Sequence, residues 1–447
     1  MAMKAQFLRL LPLLLLLLPP PLSNYLFTDD GALGDSAGKG QLHVYHPIIL
    51  FPGISCPNLD ARLTDDYTPS LPRCGAFKGK GWFPLWNNTQ DVLDHDYLPC
   101  IQEQMSLVYD PVLNEFRNQP GVETRVPDFG SSYSFTSKVK LGNLDMFCML
   151  KLRKALEAVG YRDRDTLFGA PYDIRHAPLS PGQPSRVYTD YFARVKDLVH
   201  HDLVHHASKK NGNKPIILLG HSFGGKAVLD FVNLTPLPWR KKFIKHVVLI
   251  APTPPTGFLE VLRNLASGPS VIRVPAVPWL GLRPMWRTFP TSLTSFPSHR
   301  VFGHQPLVVT KHRNYSGYDY TDFLTALGIS TNIIKQVLPM KLTVHAPMVP
   351  TTYLSGVGIQ TPDRAVYWDS NFDVQPDYVY GDGDLVINKV SLLAFVKEMS
   401  KQQQLSNIHF KFVKIVNVTH SNIVFLERPL RIVMAEILEA NSRRDIM

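Results

Sequence analysis

One short segment of the chain combines the residue types needed for nucleophilic chemistry, Gly220-His221-Ser222-Phe223-Gly224. An apolar run ends at its first glycine and a helix-like run follows its last, so we expect Ser222 on a sharp strand-to-helix turn. Such a turn exposes the hydroxyl group, and the flanking glycines let the strand and the helix approach closely. The N–H of Phe223 at the helix N-terminus could then stabilise an oxyanion. A buried serine in an ordinary turn is the alternative.

Two later loops offer the base and the acid that a serine nucleophile requires. His420 follows a late strand-like run, and an acidic turn before it contains Asp382 and Asp384. The order Ser, Asp, His along the chain is that of α/β-hydrolases. His420 would accept the Ser222 proton, and an aspartate would orient the imidazole and stabilise its cation. The residues alone leave the choice between the two aspartates open.

The segments that must position these residues predict a mostly parallel sheet flanked by helices. Short apolar runs that predict buried parallel strands lie at 46–53, 166–170, 215–219 and 246–250. Together with the Gly-x-Ser-x-Gly turn, they predict the α/β class and an α/β-hydrolase fold. In that fold the loop after an early strand supplies a second oxyanion donor, so the N–H of Ile54, after Pro52-Gly53, is the candidate. A simple strand-ending turn is the alternative.

Two segments interrupt this alternation. Residues 252–340 are rich in Pro, Trp, Arg and Ser, and α/β-hydrolases carry a lid or cap at this point of the chain. Residues 66–105 contain Trp82, Phe83 and Trp86 beside lysines, which is typical of a loop that lies on a lipid surface. Packing of these aromatic side chains into the core is the alternative.

The N-terminus predicts a targeting segment. Lys4 and Arg9 flank the start of a leucine-rich run that is too short to span a bilayer. This pattern predicts a secretory signal peptide over residues 1–24, with the hydrolase domain over 25–447. Because the cleavage site is weak, an uncleaved anchor is the alternative. The predicted location is the secretory pathway: endoplasmic reticulum, vacuole or extracellular space.

Cysteines and glycosylation motifs fit that route. Four cysteines allow three complete pairings: Cys56, Cys74, Cys100 and Cys148. A disulfide between Cys74 and Cys100 would close the loop that contains Trp82, Phe83 and Trp86. Glycosylation motifs occur at Asn87, Asn314 and Asn417.

The composition limits the class of function. The chain has 447 residues, of which 45% are hydrophobic and 19% charged, enough for one large elaborated domain. Its net charge of +10 favours anionic surfaces, but there is no dense Lys/Arg run with interleaved aromatic residues, which argues against nucleic-acid binding. His201 and His205 have metal-like spacing without an evident third ligand, and a solvated helix face is the preferred interpretation. We therefore predict neither a metal ion nor another cofactor.

The sequence resembles the lecithin:cholesterol acyltransferase family, which includes a plant group, to which it is nearest, and a lysosomal phospholipase. The resemblance runs from about His46 to Leu438. The segments that carry it are Ile48-Ile49-Leu50-Phe51-Pro52-Gly53, Asn58-Leu59-Asp60-Ala61-Arg62-Leu63, Arg125-Val126-Pro127-x-Phe129-Gly130, Gly169-Ala170-Pro171-Tyr172-Asp173, Gly220-His221-Ser222-Phe223-Gly224-Gly225 and His420-Ser421-Asn422-Ile423-Val424-Phe425.

The resemblance implies a lipid acyltransferase. A fatty acyl group would pass from a phospholipid to Ser222 and then to a sterol or other hydroxyl, or to water in a phospholipase, which is the alternative function. The family also implies a mobile lid, a second oxyanion donor that matches Ile54, and a membrane-contact loop closed by a disulfide that matches Cys74–Cys100. An inactive lipid-binding protein on the same scaffold is a further alternative.

The chain departs from the family pattern at two places. The family acid lies in Gly-Asp-Gly-Thr-Val, with a serine four residues past the valine. Anchoring this pattern on Ser391 selects Asp384 as the acid and keeps Asp382 as the alternative, although the chain reads Gly383-Asp384-Leu385-Val386-Ile387. The family's Pro-Trp-Gly-Gly-like turn is replaced by Ala251-Pro252-Thr253-Pro254-Pro255. Both departures border the expected pocket and bear on the acyl acceptor more than on the fold.

Overall fold

The computed structural model describes residues 45–86, 96–135, 148–177, 185–200, 214–268, 279–337 and 344–443. The signal peptide predicted over 1–24, the motif at Asn87 and the pair His201 and His205 lie outside these ranges. The strands are β1 Ile48–Phe51, β2 Leu59–Leu63, β3 Phe83–Trp86, β4 Leu107–Asp110, β5 Glu115–Asn118, β6 Val122–Arg125, β7 Leu167–Gly169, β8 Ile216–His221, β9 Ile244–Ile250, β10 Val308–Thr310, β11 Asn314–Tyr315, β12 Thr351–Val357, β13 Ile359–Tyr367, β14 Asp377–Gly383 and β15 Phe410–Val416.

Helices connect these strands. They are α1 Leu98–Met105, α2 Leu150–Ala158, α3 Arg186–His200, α4 Phe223–Leu234, α5 Leu237–Phe243, α6 Leu259–Ser267, α7 Trp279–Trp286, α8 Pro290–Leu293, α9 His299–Phe302, α10 Tyr320–Ala326, α11 Thr331–Val337, α12 Lys389–Leu405 and α13 Glu427–Ser442. Within the described ranges, no helix is both long enough and apolar enough to cross a membrane.

A six-stranded sheet with the order β15-β12-β9-β8-β1-β7 forms the centre of the fold. All of its neighbouring strands run parallel. Strands β1, β8 and β9 are buried along their whole length, as their continuous apolar runs predict. The predicted parallel sheet of an α/β-hydrolase fold is therefore confirmed.

The sheet separates two hydrophobic clusters, because successive side chains of a strand point to opposite faces. Ile49 of β1 contributes to the cluster that includes α4, whereas Ile48 contributes to the other. Residues of α2 and α13, such as Leu152 and Ile437, belong to that second cluster. Helices therefore cover both faces, which leaves the strand ends available for a site.

The described parts of the segment from 252 to 337, residues 252–268 and 279–337, are more regular than the sequence indicates. These parts form α6 to α11 with the short strands β10 and β11. Helix α6 does have helical periodicity, because Glu260, Arg263, Asn264 and Ser267 lie on one face of it. The fold buries this polar face as well, since all residues of α6 except Asn264 are buried. Strands β10 and β11 join β13 and β14 in a second sheet.

Disulfides tie two loops to the fold. Cys74 is bonded to Cys100, which closes the segment that holds β3, and Cys56 is bonded to Cys148. The Gln104 side chain donates to the backbone carbonyl of Cys74 (3.0 Å) and so fastens α1 to the closed segment.

The prediction that three aromatic residues of this segment face a lipid surface is wrong for two of them. Phe83 and Trp86 are 8% and 4% exposed. Strand β3 pairs with β2, and the ring of Phe83 stacks on that of Phe77 with centroids 4.4 Å apart. Only Trp82 of the three, at 36%, is exposed.

Candidate active site

Ser222 lies in the sharp turn between β8 and α4, as the sequence predicts. Its backbone has φ 57° and ψ −129°, a conformation that L-residues seldom adopt. A Cβ added to Gly220 would lie 2.5 Å from the carbonyl oxygen of Gly224, and one added to Gly224 would collide with the carbonyl oxygen of Phe51. The two glycines are therefore required by the close approach of helix, strand and neighbouring loop.

Backbone hydrogen bonds hold this turn in place. The N–H of Ser222 donates to Ile250 at the end of β9 (3.0 Å), and its carbonyl accepts from Thr253 (2.9 Å) and Gly225 (2.9 Å). Thr253 belongs to the segment where the sequence departs from the expected turn. That segment therefore still supports the backbone of Ser222.

A chain of hydrogen bonds connects Ser222 to a buried carboxylate. Nε2 of His420 lies 2.8 Å from Oγ of Ser222, and Nδ1 lies 2.9 Å from Oδ2 of Asp384. The other carboxylate oxygen accepts the backbone N–H groups of Val386 (3.1 Å) and Ile387 (2.7 Å). With Nδ1 donating to this carboxylate, Nε2 is free to accept the proton of the serine hydroxyl.

Asp384 reaches this position from outside the central sheet. It follows β14, an antiparallel partner of β13, and its backbone carbonyl accepts the N–H of His420 (2.7 Å). A Cβ on Gly356, near the end of β12, would lie 3.3 Å from that of Asp384. The acid loop therefore packs back onto the central sheet.

Asp382, the alternative acid, points elsewhere. Its carboxylate accepts from the backbone N–H of Gly358 (2.7 Å) and from Nζ of Lys389 (2.5 Å). The hydrogen bond from Lys389 lowers the pKa of this exposed carboxyl group. The geometry thus brings Asp384, not Asp382, to His420.

His221 is a residue that sequence reasoning did not single out. Its Nε2 lies 3.0 Å from the backbone carbonyl of His420, and the two imidazole centroids are 5.5 Å apart. Burial lowers the pKa of His221 to about 3, so the ring stays neutral and can donate only from Nε2 when it bonds this carbonyl. The position after the first glycine of the motif carries no sequence signal for this role.

Two backbone N–H groups are available beside Ser222. A Cβ on Gly53 would lie 3.3 Å from Cβ of Ser222, which places the loop that contains Ile54 against the turn. The N–H groups of Ile54 and Phe223 donate no hydrogen bond to any other residue that the structure describes. Both could therefore donate to an oxyanion formed beside Ser222.

The arrangement of Ser222, His420 and Asp384 contains the groups that acyl transfer through a serine requires. A serine hydroxyl, an imidazole bonded to a carboxylate and two candidate oxyanion donors meet at one edge of the sheet. In the described part of the chain, no group of three or more His, Cys, Asp or Glu side chains could hold a metal ion.

A family model of lecithin:cholesterol acyltransferase matches residues 82–344. A rice relative (Oryza sativa subsp. japonica), "Lecithin-cholesterol acyltransferase-like 1", is 39% identical over 92% of this chain and 90% of its own length. The chain belongs to the lecithin:cholesterol acyltransferase family.

Two further comparisons give a more distant relative and a solved structure of similar fold. A rat family relative (Rattus norvegicus), "Lysosomal phospholipase A and acyltransferase", is 26% identical over 83% of this chain and 86% of its own length. One chain of the crystal structure of the Tle4–Tli4 complex superposes with a TM-score of 0.50 at 11% identity. The superposition covers 89% of this chain and 99% of the other chain. At this low identity it supports the similarity of fold alone.

Proposed function

We propose that the chain is a serine-dependent lipid acyltransferase that takes a fatty acyl group from a phospholipid and passes it to a sterol or other hydroxyl. The observation that carries the proposal is the continuous chain of hydrogen bonds from Ser222 through His420 to Asp384, with distances of 2.8 and 2.9 Å. The family description and the names of the relatives support lipid acyl transfer as the reaction class.

In the first half-reaction, Oγ of Ser222 attacks the carbonyl carbon of the acyl ester while Nε2 of His420 accepts the hydroxyl proton. The negative oxygen of the tetrahedral intermediate accepts the N–H groups of Ile54 and Phe223. Collapse breaks the bond to the glycerol oxygen, which leaves with the proton from Nε2 as a lysophospholipid. Asp384 keeps the imidazole in the required tautomer and stabilises its cation.

In the second half-reaction, a hydroxyl acceptor gives its proton to Nε2 of His420 and attacks the acyl group on Ser222. The serine recovers the proton, and the acceptor leaves as an ester. Water in place of this acceptor gives a free fatty acid, which is the phospholipase reaction named for the rat relative. Both outcomes use the same residues, so only the acceptor separates them.

The proposal also covers the targeting, the lid and the lipid contact of the chain. Residues 1–24 would direct the chain into the secretory pathway, where glycosylation at Asn87, Asn314 and Asn417 and the two disulfides would form. Residues 252–340 would act as the lid, and Trp82 in the loop closed by Cys74–Cys100 would contact the lipid surface. The exposed indole of Trp82 and the Cys74–Cys100 disulfide support the lipid-contact part of the proposal.

Product analysis on liposomes tests the proposal. The purified protein would be incubated with phosphatidylcholine labelled in its acyl chains, with and without a sterol. Ser222→Ala should abolish release of label. Ser355→Ala is a matched control, because this buried serine in β12 donates only to the backbone carbonyl of Gly356 (3.3 Å) among the residues described.

Each outcome has a distinct meaning. Labelled sterol ester from the wild type and from Ser355→Ala, but not from Ser222→Ala, supports the acyltransferase. Labelled fatty acid alone, with the same dependence on Ser222, supports the phospholipase alternative. Turnover by Ser222→Ala at the wild-type rate contradicts the serine mechanism, and absence of product despite liposome binding supports the inactive lipid-binding alternative.

A further inference from the structure

A buried tyrosine connects the two segments that carry the candidate oxyanion donors. Tyr172 follows β7 and is 1% exposed, and its hydroxyl donates to the backbone carbonyl of Pro52 (2.9 Å). Pro52 lies two residues before Ile54 in the loop that packs against Ser222. Neither the acyl transfer steps nor the hydrogen bonds of Ser222, His420 and Asp384 involve this tyrosine.

The loop that contains Pro52 has little freedom of its own. The carbonyl oxygens of Phe51 and Pro52 both pack against Gly224, where an added Cβ would lie 2.5 Å from the carbonyl oxygen of Pro52. The Pro52 carbonyl therefore points toward α4 and the tyrosine hydroxyl. A change in the direction of this carbonyl would rotate the following peptides, including the one whose N–H belongs to Ile54.

The ring of the same tyrosine packs against the second donor segment. The centroids of Tyr172 and Phe223 lie 5.8 Å apart, with the ring planes at 38°. Phe223 is 3% exposed, so its ring is fixed by this packing and its backbone begins α4 beside Ser222. One side chain thus contacts both segments that carry the candidate oxyanion donors.

We propose that Tyr172 is a positioning residue that sets the two backbone donors of the oxyanion site, through its hydroxyl at Pro52 and its ring at Phe223. This inference rests on the function proposed above. The consequence is a specific loss of transition-state stabilisation when the hydroxyl is removed, because donors preorganised for the oxyanion act mainly in the transition state. Burial raises the pKa of Tyr172 well above the ordinary value, so its hydroxyl remains a donor.

The neighbouring Tyr191 provides a matched control. It is also buried, at 6% exposure, and its hydroxyl also donates to a backbone carbonyl at 2.9 Å, that of Ala170. Ala170 lies outside the two donor segments. Replacing either tyrosine by phenylalanine keeps the ring and removes one buried hydrogen bond, so the two variants lose a similar stabilising contact.

The test compares Tyr172→Phe and Tyr191→Phe with the wild type and Ser222→Ala on labelled phosphatidylcholine liposomes, at a temperature where all four are folded. We expect Tyr172→Phe to lower kcat about tenfold with KM within about twofold, because displaced donors cost less than a deleted one. Affinity for a long-chain alkyl boronic acid, which forms a tetrahedral adduct with a reactive serine, should fall in proportion to kcat. Tyr191→Phe should retain the wild-type kcat and boronate affinity.

Phe223→Leu provides a second arm that removes the ring contact while keeping the backbone N–H, and it should also lower kcat and boronate affinity together. The inference is overturned if Tyr172→Phe keeps the wild-type kcat, if its loss is in KM alone, or if Tyr191→Phe loses as much. If Tyr172→Phe does not fold, the inference is overturned when Phe223→Leu has the same kcat as the wild type. Turnover by Ser222→Ala would instead contradict the proposed function itself.

Discussion

The side chain of His221 and the backbone of His420 are joined by a hydrogen bond of 3.0 Å between Nε2 and the carbonyl oxygen. His221, the residue before Ser222, therefore holds the loop that carries His420. His420 also donates its backbone N–H to the carbonyl of Asp384 (2.7 Å). His420 is thus fixed through its backbone carbonyl and N–H as well as through its ring.

Removal of the His221 hydrogen bond should reduce turnover. We expect His221→Phe to lower kcat about tenfold, which corresponds to the loss of one net hydrogen bond that orients the His420 loop. His221→Gln, which restores an N–H donor, should recover part of the loss. Steady-state kinetics on a soluble ester measure both, and equal kcat in the wild type and His221→Phe would contradict this role.

Substitution of the two acidic residues should separate their roles. Asp384→Asn should lower kcat about 10³- to 10⁴-fold, because an amide stabilises the wrong imidazole tautomer and cannot balance its positive charge. Asp382→Asn removes only an exposed ion pair with Lys389, with side chains 41% and 40% exposed, and should change kcat by roughly twofold or less. A larger loss in Asp382→Asn than in Asp384→Asn would reverse the assignment.

Acid should destabilise the fold through its buried histidines. Burial lowers the pKa of His246 and His221 to about 3 and that of His176 to about 4, whereas an unfolded histidine titrates near 6.5. The unfolded state therefore binds protons first. These histidines do not change stability above about pH 6.5, and below it stability should fall by on the order of 1 kcal/mol per pH unit for each histidine.

His246 offers a test of this linkage away from the nucleophile. It lies near the start of β9 and bonds Thr352 (2.9 Å), and the charges of Arg443 and Lys245 also lower its pKa. Chemical denaturation between pH 6.5 and 4.5 should give a shallower loss of unfolding free energy in His246→Gln than in the wild type. Parallel pH profiles for the two proteins would contradict the prediction.

Trp82 should contribute to lipid binding but not to chemistry. Its exposed ring lies 4.5 Å from the guanidinium carbon of Arg125 and 5.2 Å from that of Arg62, which keeps the indole at the surface. Trp82→Ala should weaken liposome binding severalfold while leaving hydrolysis of a soluble ester unchanged. Trp86→Ala, which empties a buried site, should instead lower stability by about 3 kcal/mol or more. Unchanged liposome sedimentation of Trp82→Ala would contradict its surface role.

The local pattern of the chain predicts the sheet and the nucleophile turn because both depend on short-range features. The apolar run of β8 and the spacing of Gly220, Ser222 and Gly224 are visible within ten residues, although the contact that requires Gly224 is with the distant Phe51. The environment of Phe83 could not be predicted in this way, because its partner Phe77 and the pairing of β3 with β2 depend on tertiary contacts.

Residues that support the site through contacts with distant parts of the chain could not be predicted from local sequence either. His221 and Tyr172 act on backbone carbonyls 199 and 120 residues away in the chain, and no spacing rule connects such positions. Asp384 could be selected from sequence only through family resemblance, because both aspartates lie in the same turn. The fold distinguishes them by burying Asp384 and leaving Asp382 at the surface.

The central claim is that Ser222 carries the acyl group during turnover. The most direct measurement is acid quenching of the protein during reaction with phosphatidylcholine liposomes, followed by mass spectrometry of the intact chain and of its peptides. We predict one fatty acyl adduct on the peptide that contains Ser222 in the wild type and none in Ser222→Ala. An acyl adduct at another residue, or product formation by Ser222→Ala at the wild-type rate, would contradict the account.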